Sequence, residues 1–329
     1  MYKPRFLFLL TSTIWLLTSC SGCGGSEAGN EPQPYVSNAP TFNVDSAYQY
    51  IADQCAYGPR TMNSAAHDSC AAYLQRQFER FGAAVTTQDA TLHLYDGTAV
   101  QARNIIASYN PAAPQRVLLC AHWDSRPWAD NDAAESQWHT PIDGANDGGS
   151  GVAVLLETAR QLQQSQPAVG IDLICFDAED CGVPQWADAE SRDNTWCLGS
   201  QYWASHPHVP GYHARFGILL DMVGGANCEF RKEYFSLRNA PSVVDKVWAR
   251  AQAAGFGTYF SNEPGGGITD DHLQVQSVGI PCIDIIGNDK TQGGFCATWH
   301  TMADRLQNID RNTLHAVGQT VLEVIYNEQ

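Results

Sequence analysis

Five stretches of the chain place an acid or a histidine directly after an apolar run. They are His122-Trp123-Asp124, Asp147 in GANDGGSG, Glu179-Asp180 in FDAEDCG, Asp221 in LLDMVGG, and Trp299-His300 near the end. Hard carboxylate oxygens together with imidazole nitrogens are the ligand set of a catalytic zinc. No single element supplies them. They follow apolar runs scattered along the chain, which is how an α/β enzyme assembles a site at the ends of its strands.

Each member also has a plainer reading. Asp147 precedes Gly148-Gly149-Ser150-Gly151, glycines that allow a tight turn into a helix whose N–H groups can orient a carboxylate. Taken alone it also reads as a turn or N-cap aspartate. Glu179 and Asp180 are adjacent and can point different ways, one to a metal and one serving as a base, or they form a solvated acidic loop. Asp221 closes a strongly aliphatic run. Asp270-Asp271-His272 follows a triple glycine and is equally suited to capping a helix. His300 beside Trp299 is a ligand or a packing residue, and His122 ends a strand. Asp124 is placed to hold the His122 imidazole or a backbone donor. The remaining histidines lack such surroundings and read as surface or core residues.

These side chains need a frame. Nearly continuous apolar runs at 116–120, 171–176, 216–220 and 280–286 read as central strands covered on both faces. Residues 84–94 and 102–109 read as further strands. Helical periodicity runs over 46–55, 67–81, 151–164, 241–254 and 310–326, with Gly82 as a helix stop. The alternation predicts an α/β fold: a three-layer α/β/α sandwich with a twisted, mostly parallel mixed central sheet.

Apolar content of 44% supplies a sizeable core, and no repeat or linker divides the chain beyond residue 41. A net charge of −16 and the lack of a basic run argue against nucleic acid or an anionic membrane surface as a partner. Residues 1–19 read as a lipoprotein signal peptide: Lys3 and Arg5, an apolar stretch too short for a mature span, then Leu17-Thr18-Ser19-Cys20, which looks like a bacterial lipobox. Cleavage there leaves lipid on Cys20 as the membrane anchor, residues 20–40 as a flexible Gly/Ser/Pro-rich tether, and residues 41–329 as the catalytic domain. The expected product is an exported, membrane-anchored, periplasm-facing monomer. Export permits disulfides, and Cys55–Cys70 and Cys181–Cys197 are the expected pairs, with Cys120, Cys175 and Cys282 as buried thiols.

The motifs taken together resemble the co-catalytic zinc aminopeptidase superfamily. Thr269-Asp270-Asp271-His272-Leu273, Gly279-Ile280-Pro281 and Trp299-His300-Thr301-Met302-Ala303-Asp304 more closely resemble the animal-type (type II) glutaminyl-peptide cyclotransferases. The resemblance implies one Zn2+ held by Asp147, Asp180 and His300, with Glu179 as proton shuttle and Asp221 and Asp270 networked with it. It implies Trp299 as a wall of the substrate pocket, and Trp186, shifted by one residue in spacing, as a second pocket tryptophan. The implied reaction is an acyl transfer: cyclisation of N-terminal glutamine of peptides and proteins to pyroglutamate with release of ammonia. Asp180 stands where the animal enzymes have glutamate. Two other readings remain open from the residues. One is a two-zinc aminopeptidase in which His122 and Asp221 hold the second metal. The other is a silent peptide-binding lipoprotein, which has no use for Glu179.

Overall fold

The parallel centre of the sheet is built from the apolar runs. In the computed structural model, which describes residues 35–188 and 194–329, they become β3 (Arg116–His122), β4 (Gly170–Phe176), β5 (Phe216–Asp221) and β8 (Cys282–Asp289). Parallel pairing joins β4 to β3, β3 to β5 and β5 to β8. β1 (Ala84–His93) and β2 (Ala99–Tyr109) add antiparallel to one side, and β6 (Cys228–Lys232) adds antiparallel to β8 on the other, carrying β7 (Phe260–Pro264) at the edge. The order β1-β2-β4-β3-β5-β8-β6-β7 makes one mixed sheet of eight strands.

Alternation along the strands sorts the core onto two faces. Val117, Leu119 and Ala121 of β3 join the larger core with Ile171, Leu173, Ile218 and Ile283, beneath α1 (Val44–Cys55), α2 (Ala65–Arg80), α3 (Gly149–Gln164), α6 (Pro241–Ala253) and α8 (Arg311–Ile325). Leu118 and Cys120 face the opposite way, with Ile174, Phe176 and Leu219, beneath Trp203 of α4 (Leu198–Ser205) and Val275 of α7 (Asp271–Ser277). Helices therefore cover both faces, as the strand and helix alternation predicts. Asn43, Ser64 and Asp310 cap α1, α2 and α8 with their side chains. No described helix is long and apolar enough to cross a membrane.

The differences from expectation have local causes. β6 and β7 read CEFRK and FSNEP, too short and polar to show a strand period. α4, α7 and the six-residue α5 (Tyr234–Asn239) are too short for helical periodicity to emerge. The expected disulfides do not form: Cys55, Cys70, Cys181 and Cys197 are free thiols, and among the described residues a disulfide joins Cys228 to Cys296. Cys181 and Cys197 are engaged separately, the first thiol facing Asp124 Oδ2 at 3.6 Å and the second Glu179 Oε1 at 3.3 Å. Cys70 is packed within the larger core, and Cys55 lies partly buried against it. Cys120, Cys175 and Cys282 are buried and free. The expected signal peptide, the lipid site at Cys20 and the tether as far as residue 34 lie outside the described residues, and residues 36–329 form one compact unit.

Candidate active site and metal centre

The C-terminal ends of three adjacent parallel strands meet at one place. β3 ends in His122, β5 in Asp221, and β4 runs on through Asp177 and Ala178 into Glu179-Asp180. Asp147 enters from the turn before α3, and His300 from the loop before α8. Ligand atoms of Asp147, Asp180 and His300 all lie within 4.8 Å of one another, and so do those of His122, Asp147 and Asp221. The two trios share Asp147. Its Oδ1 lies 3.0 Å from His122 Nε2, and its Oδ2 lies 3.7 Å from His300 Nε2.

The backbone is bent to achieve this. Ala178, Cys197, Met222 and His300 adopt left-handed φ angles of 51°, 57°, 49° and 54°, all at or beside site residues. Such strain is held only where the surroundings fix it. Asp124 supplies part of the fixing: its two oxygens accept the N–H groups of Glu179 (3.0 Å) and Asp180 (3.1 Å), while its Oδ1 lies 3.5 Å from His122 Nδ1. Asp124 thus fills the backbone-donor role and stands beside the imidazole without accepting a hydrogen bond from it. Asp304 does the same for the Asp147 turn, accepting from Asn146 N (2.7 Å) and Asp147 N (3.0 Å). The next residue, Gly148, has φ 80°, and a Cβ there would sit 2.7 Å from Asp124 O. Asp147 caps no helix: α3 has Gly148 at its N-cap and no side-chain cap. Behind His300, Asp130 lies 3.5 Å from Nδ1 and is itself gripped by Arg126 at 2.6 and 2.7 Å. That chain aims Nε2 at Asp180 Oδ1, 3.0 Å away.

Burial dominates the electrostatics. It raises the Glu179 carboxyl well above its ordinary range, with Asp270, Asp180 and Asp271 adding to the effect against an opposing His122. Burial, then Asp147, raises Asp221; burial, then Asp221, raises Asp270. For His122 burial works against the charge, but Asp124, Asp147 and Asp221 outweigh it and raise the imidazole well above its usual value. Asp270 also caps α7 through Asp271 N, so the capping and the site readings both hold. Asp147 Oδ2 and both oxygens of Asp180 are buried without a hydrogen-bond partner among the described residues. Orphan carboxylate oxygens beside an imidazole are a costly arrangement that a divalent cation completes, and the donor set suits zinc.

A cavity of about 750 Å3 opens onto these groups. Asp147, Glu179, Asp180, Asp221, Asp270 and His300 line it, together with Trp196, Phe295 and Trp299. Trp186 is not part of that lining. It packs on Trp128, Trp138 and His139, and Trp196 takes the pocket position, its ring stacked at 9° to His300. Trp196, Phe295, Asp130 and Arg126 were not expected from the sequence. Phe295, four residues before Trp299, carried the only usable signal; Asp304 lay within a quoted motif without an assigned part.

The architecture and the site agree with sequence comparison. The profile of peptidase family M28 matches residues 104–325, and the chain belongs to that family. Among solved structures it is similar to glutaminyl cyclase from Bacteroides thetaiotaomicron, crystallised with N-acetylhistamine, at 56% identity and TM-score 0.87, over 89% of this chain and 100% of that one. It is similar to a Zn-dependent exopeptidase from Parabacteroides distasonis at 55% identity and TM-score 0.86, over 88% of this chain and 100% of that one. Bovine glutaminyl-peptide cyclotransferase is 28% identical over 258 residues, 68% of this chain; the match spans 65% of the bovine protein.

Proposed function

We propose that the protein is a zinc-dependent glutaminyl-peptide cyclotransferase, converting N-terminal glutamine of peptides and proteins to pyroglutamate. The observation that carries the reading is the convergence of Asp147, Asp180 and His300 beside Glu179 in one tryptophan-walled cavity. The similarity to bacterial glutaminyl cyclases along nearly the whole chain supports it. Asp147, Asp180 and His300 would hold one Zn2+, which when bound would supply a Lewis acid for the γ-carboxamide carbonyl. The cavity holds the substrate so that its own α-amine faces that carbonyl carbon, and proximity is largely built into the molecule. Glu179 accepts a proton from the amine as the new C–N bond forms and delivers it to the departing amide nitrogen, which leaves as ammonia. Asp221 and Asp270, buried beside Glu179, share at least one proton and steady its carboxyl. Trp299 and Trp196 bracket the short aliphatic part of the glutamine.

A single ion is favoured over two. His122 Nε2 already hydrogen-bonds Asp147 Oδ1 and stands 3.3 Å from Asp221 Oδ1, whereas the Asp180 oxygens accept no hydrogen bond among the described residues, Oδ1 only facing His300 Nε2 and Arg126 Nη1 at ion-pair distance. The leader and Cys20 support an exported lipoprotein tethered at a membrane; labelling with a fatty-acid analogue, abolished by Cys20→Ala, tests this. The activity test is incubation with Gln-peptides and Leu-peptides followed by mass spectrometry. Loss of one ammonia from the first without shortening of the second is expected. Release of free leucine and two tightly bound zincs per chain would instead establish an aminopeptidase.

A further inference from the structure

Ile268 and Phe295 separate the large cavity from a second hollow of about 210 Å3, lined by Arg231, Gly265, Gly266, Asn288 and Gly294 beside the same two residues. The two hollows differ in charge. The large cavity carries five carboxylates and no lysine or arginine. In the second, Arg231 is the one charged side chain. Its Nε donates to Glu229 Oε1 at 2.7 Å, which fixes the plane of the guanidinium. Among the described residues Nη1 and Nη2 have no hydrogen-bond partner, and the side chain is 32% exposed. A fixed fork with free terminal donors is the geometry that receives a carboxylate.

The floor of the hollow is equally prepared. Gly265 N–H donates to Lys232 O, Gly266 O accepts from Tyr234 N–H, and Ile268 N–H donates to the Glu233 carboxylate at 3.0 Å. Glu233 is fully occupied with this loop and with α5, accepting also from Phe235 N, Ser236 N and Ser236 Oγ. The loop is therefore held rather than loose. Yet the N–H groups of Gly266 and Gly267 have no partner among the described residues. At Gly266 a Cβ would meet nothing within 4 Å and φ is not left-handed, so neither packing nor conformation demands glycine. What glycine leaves there is bare backbone with a free donor.

We propose that this second hollow is the subsite for the residues that follow the glutamine, and that Arg231 selects substrates with an acidic side chain there. The proposal rests on the cyclotransferase reading above. With the α-amine and the γ-carboxamide in the large cavity, the rest of the peptide leaves through the α-carbonyl. An acidic side chain meets no lysine or arginine in the large cavity and is drawn to the unpartnered terminal nitrogens of Arg231 beyond Ile268 and Phe295. The Gly266 and Gly267 N–H groups are available to the substrate's peptide carbonyls.

The test uses amidated tripeptides Gln-Glu-Ala, Gln-Ala-Glu, Gln-Ala-Ala and Gln-Lys-Ala with the zinc-loaded enzyme. For one or both acidic peptides KM is expected to be lower by about threefold to tenfold than for Gln-Ala-Ala, with kcat unchanged and the advantage shrinking as salt rises. Arg231→Gln should erase that difference and leave Gln-Ala-Ala kinetics within twofold, which also shows that the variant folds. Arg231→Glu should turn the preference toward Gln-Lys-Ala. Equal KM values across the peptides in the parent enzyme, or an acidic preference that survives Arg231→Gln, would overturn the subsite while leaving the activity standing. If no Gln-peptide is cyclised, the activity assignment itself fails and the subsite with it.

Discussion

His122 and His300 approach opposite oxygens of Asp147, yet their surroundings differ. Around His122 the carboxylates are turned inward: Asp147 Oδ1 and Asp221 Oδ1 meet Nε2, and Asp124 stands by Nδ1. The strand-end corner is closed on itself. Around His300 the support comes from behind, through Asp130 and Arg126, while the acids in front face Nε2, Asp180 Oδ1 at 3.0 Å and Asp147 Oδ2 at 3.7 Å, with oxygens that accept no hydrogen bond among the described residues. Two corners with nearly the same residue types therefore support their histidines differently, a contrast that a ligand inventory alone does not show.

Four substitutions break or sharpen this contrast. Asp180→Ala is expected to have the largest effect, with metal content falling from one zinc per chain to almost none and turnover disappearing with it. Metal analysis after dialysis checks this, and retention of a full equivalent would move the ion to the other corner. Glu179→Gln should keep the zinc and the Gln-peptide KM but lower kcat by about 10²- to 10⁴-fold. His122→Gln removes a member of the closed corner; it should keep one zinc per chain and lose about tenfold in metal affinity or activity. Metal content dropping from two to one in that variant would show that both corners bind.

The smallest effect is expected away from the metal, at a third histidine. Glu233 lies 3.4 Å from His272 Nε2. Burial alone would raise its carboxyl, but His272 and the N–H groups of Phe235 and Ser236 outweigh burial and hold it at about 2, against an ordinary 4.5. A carboxyl lowered in the folded state stabilises fully above its unfolded value, and the gain is lost as pH falls from 4.5 toward 2. Glu233→Gln should cost about 1–3 kcal/mol at neutral pH. Denaturant titrations of parent and variant should converge through that acid window. A gap that stays constant down to pH 2 would show that neutral packing, not the charge, holds the loop.

The sequence made the parallel centre legible because β3, β4, β5 and β8 are buried on both faces and read as unbroken apolar runs. The acids and histidines that follow those runs, and the turn at Asp147, were readable for the same reason, since the ends of buried strands are where polar residues first reappear. β6, β7, α4 and α7 were not legible: they are short, half-exposed, and held by tertiary partners rather than by a pattern of their own. Trp196 was missed because its place in the pocket rests on tertiary packing against Gly182, which leaves no pattern in the sequence. The disulfide was misassigned because proximity in sequence stood in for proximity in space. Cys228 and Cys296 lie 68 residues apart and are joined only once β6 and the loop before His300 have met.

The clamp from Asp304 onto the Asn146 and Asp147 amides spans more than 150 residues of chain. A nascent polypeptide that has completed β3, α3, β4 and β5 still lacks the imidazole at 300 and the carboxylate that sets the Asp147 turn. During synthesis the Asp147, Asp180 and His300 trio therefore has no finished form until almost the last helix has emerged. A chain truncated before that point would lack both His300 and the clamp that sets Asp147.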